Sequence, residues 1–201
     1  MTIRIGLLPQ VAAAHFVSHL HIMVLAALFP LLPAFLNVDY VALGLALSVF
    51  NIVTALVQAP MGFAVDSHGA RRLLLLALAL GSCSFLLIAL LTGNTCLLVG
   101  MALAGVANAV YHPADYAPLS RHINPAHIGK AFSVHTFAGF LGAAVAPVLL
   151  LGVAVASGAP IEQPFVADTP PAAWREVIDT ELIGFAALAS ALLPRWRAGG
   201  G

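Results

Sequence analysis

Apolar residues run along this chain in long blocks, and charged positions interrupt them at intervals close to a membrane's thickness. No charge occurs in residues 5–38, between Arg4 and Asp39, or in 40–65, between Asp39 and Asp66. None occurs in 73–114, between Arg72 and Asp115, or in 131–161, between Lys130 and Glu162. A helix rises about 1.5 Å per residue, so roughly 20 apolar residues cross about 30 Å of hydrocarbon. The 73–114 block is long enough for two crossings, divided by the polar, glycine-containing turn Thr92-Gly93-Asn94-Thr95. The pattern predicts helices over 11–36, 40–63, 72–92, 96–120 and 129–156.

A sixth span is predicted over 177–193. It is marginal, because it is short and carries Asp179 and Glu181. Each carboxylate costs a few kcal/mol at mid-bilayer and less near the interface. Both follow closely on Trp174, which reads as an interfacial anchor. The polar, proline-containing stretch before it makes 158–173 an extracytoplasmic loop. The whole chain, 1–201, then reads as a single six-span transmembrane domain, with Gly199-Gly200-Gly201 as a structureless tail. The stretch before Ala12-Ala13-Ala14 is too short in apolar residues to read as a signal peptide, and Pro9 and Gln10 break it.

Composition sharpens this. Hydrophobic residues make up 61% of the chain, charged residues 8%, and the mean hydropathy is +1.01. Soluble domains carry about 25% charged residues, so a soluble enzyme, a disordered chain and a secreted disulfide scaffold are all excluded as readings. Eight Lys and Arg against eight Asp and Glu leave no net charge, which argues against nucleic acid as a partner. Cys83 and Cys96 lie in apolar runs without metal or redox spacing. In a six-span arrangement Arg4, Arg71, Arg72, Arg121, Lys130, Arg195 and Arg197 fall on one side and Arg175 on the other. The positive-inside rule places both termini in the cytoplasm. The expected location is the cell (inner) membrane, multi-pass.

Between the second and third spans the chain reads Gly62-Phe63-Ala64-Val65-Asp66-Ser67-His68-Gly69-Ala70-Arg71-Arg72. A short connection carries one glycine for close packing, an acid near a helix end, a second glycine for a turn, and a basic pair. The residues alone allow a solvated hairpin or a charged latch. This segment resembles the signature loop of the major facilitator superfamily, G-x-L-A-D-R-x-G-R-R. Gly62, Asp66, Gly69 and Arg71 fall on the pattern, Arg72 completes the basic pair, and Ser67 and Ala70 depart from it.

The resemblance continues elsewhere. His15-Phe16-Val17-Ser18-His19, with Pro30 later in the same span, is similar to the first helix of fosmidomycin-resistance-type members, and Tyr111-His112-Pro113 to their fourth. Gly139-Phe140-Leu141-Gly142-Ala143-Ala144-Val145-Ala146-Pro147 resembles the fifth-helix motif of drug/proton antiporters, and Trp174-Arg175 the pair before the sixth helix. Two positions depart: Met101 stands where drug antiporters carry an arginine, and His19 where the fosmidomycin type carries an acid. The resemblance implies one six-helix half of a twelve-span fold. It gives Gly62, Asp66, Gly69, Arg71 and Arg72 a cytoplasmic gating role, and Gly139, Gly142, Ala146 and Pro147 a packing role.

Ionisable and amide groups inside spans are candidates for a transport pathway, because lipid penalises them. His15, Ser18 and His19 share one face of the first span, with His21 pointing away; Asn51 and Gln58 share one of the second. Asn108, Tyr111, His112 and Asp115 form a stripe on the fourth, where Pro113 frees a carbonyl, and His135 adds one group on the fifth. The same groups could serve packing alone, by hydrogen-bonding between helices, and Asp115 could pair with Arg121 or Lys130. Imidazoles titrate near neutral pH, so His19 and His112 are the candidates for carrying protons. Ala138, Gly142 and Ala146 recur at four-residue spacing and suggest a close-packing ridge.

Eight histidines raise a haem or metal reading, in which His15 or His19 would face His112 or His135. No Met, Cys or HExxH spacing supports it, so neither a cofactor nor a metal is expected.

The sequence therefore predicts an all-α polytopic membrane protein, half of a major facilitator fold, that is not an enzyme. Its expected activity is proton-linked, alternating-access transport of a small molecule, of the efflux or antiporter type. Its partners would be substrate, protons, lipid, and a homodimer mate or a separate C-terminal half. The competing reading is a membrane fragment or interaction module that transports nothing.

Overall fold

A computed structural model of the protein describes residues 6–158. Seven helical elements follow one another: α1 (Leu7–Ala27), α2 (Leu32–Leu36), α3 (Tyr40–His68), α4 (Ala70–Leu90), α5 (Asn94–His122), a single 3-10 turn (Pro125–His127) and α6 (Ile128–Ala156). Among the described residues there is no strand. Five of the helices, α1, α3, α4, α5 and α6, are long and apolar enough to cross a membrane, the last counted with its 3-10 turn. The sixth span at 177–193 and the loop at 158–173 lie outside the described residues, apart from Gly158, which closes the turn after α6.

The spans fall where the hydropathy pattern placed them, with one correction. The predicted first helix, 11–36, is not continuous: α1 ends at Ala27 and a separate short α2 begins at Leu32. Pro30 has no N–H to donate, and its ring crowds the carbonyl four residues earlier, so regular hydrogen bonding stops there. The chain crosses the gap on tight turns, with Leu31 N–H donating to the Leu28 carbonyl. Asn37 then adopts a left-handed conformation (φ 55°) at the end of α2. Asp39 caps α3 by accepting from the Ala42 N–H at 2.7 Å.

The segment read as a loop between the second and third spans is also mostly helical. Gly62 through His68 complete α3, and α4 begins at Ala70. Gly69 alone makes the turn, at φ 90°, a conformation a side chain would strain. Gly93, at φ 108°, does the same between α4 and α5.

Connections this short fold successive spans back on one another. α5 packs between α3 and α4, while α1 packs along α6 and also meets α5 and α4. One apolar cluster joins Leu25, Leu36, Leu43, Phe50, Ile88, Leu97 and Met101 near the end that carries α2. A second joins Val65, Ala77, Val110 and Ala114, and a third Val11, Leu119 and Ala131, towards the opposite end. Half of the most apolar window of α5 is buried, against 17–22% for the other spans. α5 is thus the central helix, and the outward faces of the rest, with residues such as Val41, Phe63 and Val148, are apolar and exposed, as lipid contact requires.

Candidate functional site

α1, α5 and α6 meet around one carboxylate. Asp115, on α5, is fully buried, and its Oδ2 lies 3.1 Å from His135 Nε2 on α6. The same oxygen lies 3.3 Å from His15 Nδ1 on α1, close enough for an ion pair, though Nδ1 makes no hydrogen bond in that geometry. The His15 and His135 rings stack with centroids 3.7 Å apart. His19 sits edge-on to His15 at 4.5 Å, and His112 lies 5.4 Å from it. Tyr116 packs against both His112 and His135 with centroids 5.5 Å away, and its far edge meets Phe132. Two imidazoles therefore flank the carboxylate, and two more pack against the His15 ring. Asp115 Oδ1 and the Nδ1 atoms of His112 and His135 are buried without a hydrogen-bond partner.

Glycine makes this approach possible. A Cβ at Gly139 would stand 2.6 Å from His15 Cδ2 and Nε2 and 2.9 Å from His19 Cδ2. One turn further, a Cβ at Gly142 would strike the backbone carbonyl of Phe16. The buried stripe of α6 is His135, Gly139, Gly142 and Ala146, with Pro147 half-buried beside it. Ala138, expected on this ridge, is only partly covered.

The stripe expected on the fourth span divides between neighbours. Only His112 and Asp115 face the cluster. Asn108 donates to Thr54 Oγ1 on α3 at 3.3 Å, and Thr54 donates to the Gly105 carbonyl. Tyr111 reaches the other way: its hydroxyl donates to the Ala77 carbonyl on α4 and lies 3.1 Å from His21 Nδ1. Gly81 leaves the room, since a Cβ there would come within 2.9 Å of both groups. The stripe splits because α5 has packed neighbours on several sides, so each residue meets whichever helix passes at its depth. Ser18 donates to the His15 carbonyl within its own helix. Asn51 and Gln58 are exposed on α3.

Asp66 and Arg121 form a 2.7 Å ion pair between the ends of α3 and α5. Arg121 is therefore not the partner of Asp115. Gly62 is half-buried, while Gly69, Arg71 and Arg72 are exposed around it. Both members of the pair are open to solvent, where such contacts are worth about 0–1 kcal/mol. Reversing either charge alone should thus leave the melting temperature in detergent nearly unchanged.

Every member of the cluster stood among the sequence candidates except Tyr116, whose only signal was its position one turn after His112. The joining of His15, Asp115 and His135 was not legible, because they lie on three helices. Their ligating atoms all come within 4.8 Å of one another, so they have the donor set for a metal ion. The stacked His15 and His135 rings leave no space for a haem between them, which removes that pair from the haem reading.

A model of the Major Facilitator Superfamily matches residues 11–195. The chain is also 22% identical over 144 residues to the "Fosmidomycin resistance protein" of Escherichia coli (strain K12), covering 72% of this chain and 35% of that one. It spans about a third of the length of that relative. No solved structure matches it.

Proposed function

Since the chain belongs to the major facilitator superfamily, a family of membrane transporters, we propose that it forms one six-span wall of an alternating-access carrier for a small molecule, of the efflux type. The observation that carries this reading is the polar cluster itself. A carboxylate and four imidazoles stand together inside a lipid-facing bundle, where polar groups are costly unless they serve transport or packing. His15, His19, His112, Asp115 and His135 would line the pathway. Asn108 and the exposed Asn51 on α3 extend it, and Tyr111 braces α5 against α4 and α1. The small residues Gly139, Gly142 and Ala146 keep α1 tight on α6.

Coupling to a proton gradient is part of the proposal. It is supported by the likeness of Gly139–Pro147 to the fifth helix of drug/proton antiporters. The reading makes the protein a carrier and not an enzyme. Vesicles containing the protein should accumulate or expel substrate only when a pH gradient is imposed. Equal movement with and without the gradient would sink the proton coupling, and no movement of any tested solute would favour an interaction module.

A second six-span wall completes the pathway, supplied by a C-terminal half or by another copy of this chain related through an axis along the membrane normal. Such a cover would shield the exposed amides of α3 from hydrocarbon, where Asn51 donates to the Leu47 carbonyl of its own helix and Gln58 lies open beside it. Asp66 is engaged within its own chain by Arg121 in this arrangement, so the second wall need not provide its partner.

The basic end of the bundle, with Arg71, Arg72, Arg121 and Lys130, would face the cytoplasm of an inner-membrane protein. Reporter fusions after Arg4 and Arg197 are both expected to read as inside; an outside signal at Arg197 would eliminate the sixth span.

A further inference from the structure

We propose that His15, Asp115 and His135 form a binding site for a divalent transition-metal cation of the zinc class, Zn²⁺ or Co²⁺. Three features of the cluster point there, none of which depends on transport.

The first is the donor set. Two imidazoles and one carboxylate, each from a different helix, suit a borderline cation such as Zn²⁺. They suit Ca²⁺ and Mg²⁺ poorly, since those ions require six or more oxygen ligands.

The second is spacing. Bonds of about 2.0–2.2 Å to nitrogen and oxygen around a tetrahedral ion put neighbouring donors about 3.3–3.5 Å apart. Asp115 Oδ2 already stands 3.3 Å from His15 Nδ1 and 3.1 Å from His135 Nε2, and all three ligating atoms lie within 4.8 Å of one another. Rotation of the His15 and His135 rings out of their 3.7 Å stack would turn both in-plane lone pairs onto one ion beside Asp115 Oδ2, and three protein ligands leave a fourth position free.

The third is unmet bonding capacity in a desolvated place. All three side chains are at least nine-tenths buried. His15 Nδ1 makes no hydrogen bond although it faces the carboxylate, and Asp115 Oδ1 has no partner. Arg121, one of the basic residues at that end, is taken by Asp66. Among the described residues no lysine or arginine is paired with Asp115, so a bound cation would meet its carboxylate directly.

The test uses the full chain, purified in detergent and titrated with Co²⁺ alone, with visible absorption as the readout. We expect one Co²⁺ per chain, with the strong visible bands of a four-coordinate site, displaced by Zn²⁺. His15→Ala, Asp115→Asn and His135→Ala should each weaken binding by at least about 100-fold, since loss of a mere outer partner costs roughly 10–100-fold. His68→Ala and His127→Ala, at exposed histidines, should leave it unchanged. Absence of the bands, or binding that survives all three site variants, overturns the proposal. If a site variant does not accumulate, X-ray absorption on the Co²⁺-loaded unaltered chain decides. A shell without two imidazoles overturns the site, and one with two imidazoles and an oxygen ligand supports it. Binding is read without any transport step, so failure here leaves the carrier reading intact, and failure of transport leaves the metal site standing.

Discussion

Replacing Asp115 with Asn is expected to abolish transport while leaving the protein in the membrane at full abundance and at least as resistant to heat. Asn keeps the size of the side chain and can still accept from His135 through its carbonyl oxygen. What it removes is a charge buried among groups that are neutral unless protonated. A carboxylate in that setting costs a few kcal/mol, and Asn removes that cost without leaving a cavity. Stability and activity should therefore move in opposite directions. Transport in vesicles and thermal unfolding in detergent, measured on the same preparations, check this. A variant that transports as well as the parent would show that the cluster serves packing alone. One that is lost from the membrane would show that the charge is needed for folding.

Gly142→Ala should unfold the bundle at a much lower temperature, whereas Gly152→Ala on the same helix should not. The added methyl at 142 meets the backbone carbonyl of Phe16, and backbone cannot rotate aside as a side chain can. α1 would have to move off α6, separating His15 from His135 as it does so. Overpacking of this kind costs about 1–3 kcal/mol in well-packed interiors. At Gly152 nothing lies within 4 Å, and replacing glycine in a helix gains about 0.5–1 kcal/mol of backbone order. Melting temperatures of the two variants should thus shift in opposite directions, with transport lost only at 142. Equal shifts would mean that the α1–α6 contact is looser than the structure places it.

Much of this fold was written in the hydropathy of the chain. Membrane thickness fixes helix length, and charge is excluded from hydrocarbon, so the gaps between Arg4, Asp39, Asp66, Arg72, Asp115 and Lys130 marked the five described spans to within a few residues at most ends. Glycine punctuation was legible for the same reason: Gly69 and Gly93 sit where helices reverse, at positive φ that other residues rarely adopt. The first span shows the limit of the rule. No Asp, Glu, Lys or Arg interrupts residues 11–36, and hydropathy does not register that Pro30 withholds a hydrogen bond, so the helix stops at Ala27. The candidate site was legible as a set of residue types but not as a constellation. Helical spacing tells which residues of one helix share a face; it does not tell which neighbour that face meets. Packing sent Asn108 to Thr54 and Tyr111 to Ala77 and His21, and kept only His112 and Asp115 for the imidazole cluster. Packing likewise gave Arg121 to Asp66 and left Asp115 to His15 and His135. Sequence thus determined which groups enter the membrane, because solvation acts on each residue separately. Tertiary structure alone decided which of them meet, because that depends on how closely glycine lets one backbone approach another.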